Sequence, residues 1–160
     1  MKIDEKLQDA ARNGQADGVA NQLNSGANVN SATSCYRTTP LHWACIYGHV
    51  KVVQVLLDND VDLEFPNKDG MQALHFACRE SHYRIAELLL DHGAAVNAQD
   101  IFGFTALHYA SKSGSNRCVF LLLSRDADTN IQTRIGKIPI DMAQTNEIIN
   151  LFYNYPDIDG

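Results

Sequence analysis

The sequence predicts an all-α repeat solenoid of stacked helix-turn-helix units, and three observations carry that prediction. First, the block TPLHWACIYGHVKVVQVLLDNDVDLE from Thr39 returns as QALHFACRESHYRIAELLLDHGAAVN from Gln72 and as TALHYASKSGSNRCVFLLLSRDADTN from Thr105, a period of 33 both times. The last two copies agree at 10 of 26 positions, where ordinary composition gives about two. Second, the apolar residues within a block recur with the spacing of one helix face. Third, Ala10, Ala44, Ala77, Ala110 and Ala143 hold one place in five successive copies. A small side chain at every such place means that neighbouring helices approach closely, because a larger one would overpack the contact.

A step of 34 back from Leu41 reaches Leu7, and a step of 33 on from the third full block reaches IPIDMAQTNEIINLF at Ile138. The chain therefore divides into copies at about 4–36, 37–69, 70–102 and 103–135 with a C-terminal cap at 136–155, all in one domain spanning 1–160. Each copy opens on a helix start. At Thr39-Pro40 the Thr side chain caps the first orphan amides, and Pro fixes the first-turn φ without losing a needed donor. Leu7, Leu41, Leu74, Leu107 and Ile140 then share a face with the alanines three residues later. The second helix of each copy ends in a Leu-rich turn: Leu23, Leu56 and Leu57, Leu88 to Leu90, and Leu121 to Leu123. Gly26 and Gly93 follow as left-handed caps. Asp60 and Asp126 occupy that place in the other copies, a less favourable choice for positive φ. Short β-hairpin loops are expected to project between copies, with tips near Ala32 to Thr38, Phe65 to Met71, Asp100 to Phe104 and Thr133 to Lys137.

These residues resemble the ankyrin repeat, whose pattern Thr-Pro-Leu-His-x-Ala, Gly-His, Leu-Leu and Gly-Ala-Asp-Val-Asn is visible in pieces in every copy from residue 4 to 153. The resemblance implies first helices lining a concave face, second helices forming the convex back, and His42, His75 and His108 serving as hydrogen-bonding struts between turns. Departures gather at the ends. The first copy lacks the Thr-Pro-Leu-His start, and the last has Asp141 for His and no glycine cap, as capping copies facing water require. The function that the resemblance implies is a non-enzymatic protein-protein interaction module, an adaptor or scaffold. The alternative is a stand-alone regulator of an enzyme, such as a kinase inhibitor, or an assembly factor. Asn97 stands in a context similar to ankyrin asparagines that are hydroxylated.

Charge narrows the partner. Thirteen Lys and Arg against nineteen Asp and Glu give −6 over 160 residues, which argues against nucleic acid held by many phosphate contacts. No run approaches the ~18 apolar residues of a membrane span, and MKIDEK does not read as a signal peptide. A cytoplasmic or nuclear protein without membrane contact is expected. Cys35, Cys45, Cys78 and Cys118 are too few and too irregular for a disulfide framework or a zinc site, so reduced thiols and no metal are expected.

Candidate chemistry is sparse. His42 with Cys45 and His75 with Cys78 bring an imidazole within three residues of a thiol, as a cysteine nucleophile requires. Their recurrence every 33 residues, with Ser111 in the third copy, assigns them to the repeat instead. The run DNDVDLE from Asp58 imitates a calcium loop but has Leu63 at its sixth position, where the glycine should stand, and Asp69 at its twelfth. No phosphate loop, nucleophile elbow, zinc-protease motif or dinucleotide fingerprint occurs, and no cofactor is expected.

Binding residues follow by subtraction. With the Leu, Ala and His positions holding the solenoid together, the hairpin tips and the ends of the first helices remain free to vary. They are Tyr36, Arg37, Ile46, Tyr47, Lys68, Met71, Arg79, Glu80, Ile101, Phe102, Phe104, Lys112, Arg134, Ile135 and Lys137. Tyr, Phe and Arg are the types enriched at interfaces. Six basic residues in this set, against Asp69, Glu80 and Asp100 on the same surface, give a local charge of +3, which leaves −9 for the rest. The expected partner is a protein with an acidic, partly apolar patch, and the charge division favours a monomer.

Overall fold

The computed structural model describes residues 1–155. Among them nine α-helices and one short 3-10 helix follow one another: α1 (Ile3–Arg12), α2 (Ala16–Asn24), α3 (Pro40–Tyr47), α4 (Val50–Leu57), α5 (Ala73–Arg79), α6 (Tyr83–Asp91), α7 (Ala106–Ser113), α8 (Asn116–Ser124), the 3-10 helix (Pro139–Met142) and α9 (Asn146–Asn154). The first helices α1, α3, α5 and α7 and the 3-10 helix pack in chain order as one layer, and α2, α4, α6, α8 and α9 pack in the same order as a second. This is an all-α solenoid.

Helix starts are built as the sequence predicts. The Thr39 hydroxyl accepts from the His42 amide at 3.2 Å, and that of Thr105 accepts from the His108 amide at 3.4 Å. Between the layers lies one continuous core. Leu7, Leu41, Leu74 and Leu107 are buried in the first layer with Ala10, Ala44, Ala77 and Ala110, facing Val19, Val53, Leu56, Ile85, Leu89 and Leu122 in the second. Asp60 and Asp126 have φ of 54° and 58°, in the same left-handed region as Gly26 and Gly93.

Two sets of side-chain struts hold the stack: the first ties each first helix to the loop that follows its own copy's second helix, and the second ties copy to copy. In His42, His75 and His108, Nδ1 accepts from the amides of Thr39, Gln72 and Thr105. That acceptor role fixes the proton on Nε2, which donates to the carbonyls of Phe65, Ala98 and Lys137 at 3.0, 2.8 and 2.9 Å. Asp141 performs the acceptor half of this task in the last copy, taking the Ile138 amide at 3.0 Å. The second set runs along the layer: His49 Nε2 reaches the Arg12 carbonyl at 2.9 Å and His82 Nε2 the Ile46 carbonyl at 3.1 Å. Each ring lies over a glycine of the copy before. A Cβ on Gly14 would stand 2.7 Å from His49, and one on Gly48 would stand 2.6 Å from His82. In the next copy Ser115 replaces that His, Ser81 replaces the glycine at φ 61°, and the Ser113 hydroxyl donates to the Cys78 carbonyl at 3.1 Å. The strut and its glycine thus change together.

The loops differ from the expected β-hairpins. No strand forms among the described residues. Each loop closes as a tight turn by a backbone bond from Thr33 to Thr38, Asn67 to Met71, Asp100 to Phe104 and Thr133 to Lys137. Successive tips join by single bonds from the Lys68 amide to the Tyr36 carbonyl, Ile101 to Asp69 and Arg134 to Phe102. A Cβ on Gly70 or Gly103 would come within 3.0 Å of the next tip's backbone, so the tips are spaced by glycine contact and by one hydrogen bond each. Too few rungs remain for a ladder.

Candidate functional site

The outer face of the first-helix layer, which the resemblance makes the concave one, is built from equivalent positions of α1, α3, α5 and α7. The residue after each strut histidine is aromatic, giving Trp43, Phe76 and Tyr109 on adjacent helices, and three places further on stand Ile46, Arg79 and Lys112, preceded by Arg12 on α1. These two rows interlock. The Arg12 guanidinium lies 5.1 Å from the centre of the Trp43 ring, which stacks on Tyr47 at 6.1 Å. Arg79 lies 5.0 Å over Phe76, and the Lys112 ammonium 6.0 Å over Phe104. Cations held over ring faces keep their charge and lose some conformational freedom before any partner arrives.

The tips extend this face. Tyr36, Phe102 and Ile135 are 67%, 49% and 77% exposed, beside Arg37, Lys68, Ile101, Arg134 and Lys137, all exposed. Arg37 covers the Phe65 ring at 5.2 Å in a left-handed conformation, φ 54°. At the helix ends Tyr47, Arg79, Glu80 and Lys112 are exposed, whereas Ile46 and Phe104 are half-buried.

Two placements differ from the sequence reading. Met71 is buried, 5% exposed, with its sulfur 3.9 Å from Arg79 Nη1. It closes the turn under the tip instead of facing a partner. Asp100 is also buried: one carboxylate oxygen accepts from the Phe102 and Phe104 amides, and the other from the Tyr109 hydroxyl. It is consumed in holding its own loop and does not act as an acidic surface group. Burial and this bond push the Tyr109 phenol well above its ordinary range. Arg79 is shared, since Glu80 pairs with it at 2.8 Å on the surface. Trp43 and Arg12 escaped the subtraction. Trp43 stands among core positions in α3, and Arg12 belongs to the atypical first copy, although the repeat register places it level with Arg79 and Lys112.

Neither His–Cys pair of the first helices yields an activated thiol. Burial pushes the Cys45 thiol far up, and the Cys78 thiol rises through its bond to Cys118 and then through burial. Burial drives the imidazole beside Cys45 the other way: the His42 pKa is pushed down to about 4. Neutral thiols beside neutral imidazoles are what a sealed core produces. No group of three His, Cys, Asp or Glu able to hold a metal occurs among the described residues. None of the described helices is long and apolar enough to cross a membrane.

Comparison with known proteins decides the family. A family model described as ankyrin repeats in three copies matches residues 7–100, and a second, described as ankyrin repeats in many copies, matches 89–143. The chain belongs to the ankyrin repeat family. Among its relatives are acyl-CoA-binding domain-containing protein 2 of Arabidopsis thaliana, 39% identical over 62 residues, and ankyrin repeat domain-containing protein 40 of Mus musculus, 38% identical over 66. The first match covers 39% of this chain and 17% of the relative, the second 41% and 18%. The chain therefore spans less than a fifth of either relative. Ankyrin repeats are generally protein-protein interaction modules, and the ankyrin fold is a non-enzymatic interaction fold.

Proposed function

We propose that this chain is a non-catalytic adaptor or scaffold that holds a partner protein against its concave face and loop tips. One observation carries the reading. Large apolar side chains that the core does not use, Tyr36, Tyr47, Ile101, Phe102 and Ile135, stand exposed beside Arg12, Arg37, Arg79, Lys112 and Arg134. Aromatic and arginine side chains in one patch are the usual carriers of interface energy. Asp100 is withdrawn into its loop, and on α1 the exposed Asp9, at the Trp43 register, offsets Arg12, so the face keeps the basic balance of the sequence division, which favours an acidic, partly apolar partner. The acidic remainder opposes self-association through the groove, and we place the protein in the cytoplasm or nucleus.

Capture from lysate with mass-spectrometric identification tests this, run beside two variants. A partner lost from Phe102→Ala/Ile135→Ala but kept by Phe120→Ala, which alters an exposed aromatic of α8 in the opposite layer, supports the proposal. Loss from the Phe120 variant alone would move the working surface to the convex side.

A further inference from the structure

The basic groups of the concave face are in register. Arg12, Ile46, Arg79 and Lys112 hold the same place in consecutive copies, on helices α1, α3, α5 and α7 that pack in that order. Packed helices stand about 8–10 Å apart, so this row presents cation, apolar group, cation, cation at that interval. Arg79 and Lys112 lie over rings of their own copies, Phe76 and Phe104, and Arg12 lies over Trp43 of the next, so each cation is held against this face.

Resting on the concave face as the binding face, we infer that the groove receives an acidic segment of the partner in the polyproline II conformation. Its carboxylates stand at every third residue opposite Lys112 and Arg79, an apolar residue follows at the Ile46 step, and a further carboxylate meets Arg12. The geometry selects this conformation over its rivals. A polyproline II helix has three residues per turn and rises about 3.1 Å per residue, so side chains on one face recur roughly every 9 Å. A β-strand repeats a face every ~6.7 Å and drifts out of step within two copies. An α-helix turns every ~5.4 Å and is far wider. Such a segment also has no internal hydrogen bonds, and little ordering entropy remains to be lost on docking. Glu80 opposes the fit. Its carboxylate occupies Arg79 at 2.8 Å in the free protein and must be displaced.

The test uses two synthetic peptides of identical composition. In the first, Glu-Pro-Pro-Glu-Pro-Pro-Leu-Pro-Pro-Glu, the groups recur every third residue; in the second, Glu-Pro-Glu-Pro-Leu-Pro-Glu-Pro-Pro-Pro, every second. Each, with its reversed sequence, is titrated into the 15N-labelled chain at low ionic strength. The period-three peptide in one polarity should bind about fivefold or more tightly than the period-two peptide, as misplacing two exposed charge pairs implies. Amide shifts should centre on Arg12, Ile46, Arg79 and Lys112, and Glu80→Gln should tighten binding two- to threefold. Equal affinities with shifts on this row would overturn the register while leaving the concave face as the binding face. If neither peptide moves the row while a captured partner is still lost from the tip variant, the polyproline II inference falls and the wider reading stands.

Discussion

At the scale of single residues, the repeat decides backbone conformation more firmly than residue type does. Asp60 and Asp126 adopt the left-handed conformation of Gly26 and Gly93 although an L side chain disfavours it. Asp60→Gly should therefore be neutral to stabilising by up to ~1 kcal/mol, the relieved strain being offset in part by glycine's larger unfolded-state entropy. A loss above about 1 kcal/mol in urea melts would contradict the backbone assignment. Gly48 makes the opposite case, because φ of 75° and the His82 ring, which would stand 2.6 Å from an added methyl, both oppose a side chain. Gly93 has only the unfavourable φ, of 90°, with nothing within 4 Å. Gly48→Ala should cost clearly more than the ~1 kcal/mol expected of Gly93→Ala, and equal losses would show that the His82 strut yields without penalty. The place of Asp60 is legible from the register alone. The burial of Asp100 is not, because its partner Tyr109 lies in the next helix and nothing in the spacing pairs them.

At the scale of elements, two helices and a loop make one copy, and no copy buries its own apolar face. Leu89 on α6 is fully buried between layers, whereas Phe102 at a tip is half exposed. Leu89→Ala should cost ~2–5 kcal/mol through the cavity it leaves, and Phe102→Ala should change the melt little while weakening partner binding. The reverse ordering of melting losses would put Phe102 in the core. Helix positions, caps and the histidine struts are readable because each recurs every 33 residues. The described loops form no strand, although their sequences mark turns: only the tip-to-tip bonds show how little ladder is formed. Trp43 is missed for the converse reason. Subtracting repeat positions discards any aromatic that sits among them, even one whose face is left half open with Arg12 over it.

At the scale of the whole molecule, three buried neutral histidines couple the stack to pH. Burial lowers the pKa of His42 to about 4 and shifts His75 and His108 in the same direction. At these three positions the unfolded chain takes up protons below about 6.5 more readily than the folded chain does, so the contribution is complete above pH 6.5 and is lost as pH falls. Stability should drop as pH falls from 6.5 to 5, by up to ~1.4 kcal/mol per unit for His42, with His75 and His108 adding in the same direction, and a flat profile across that window would contradict the neutral struts. The same stack carries the charge division on which the binding account rests. Arg79→Glu with Lys112→Glu reverses two exposed cations of the first-helix row, which lie over Phe76 and Phe104 from the solvent side. Exposed charges act chiefly on association and are screened beyond about 8 Å at physiological salt. The measurement that bears most directly on the central claim is the association rate of the captured partner as a function of salt, for the native chain and for this double variant. The account predicts slower association and a flatter salt dependence in a chain that still unfolds cooperatively, with a urea melt lowered by no more than about 2 kcal/mol for the two lost ring contacts; an unchanged rate and an unchanged salt slope would contradict it.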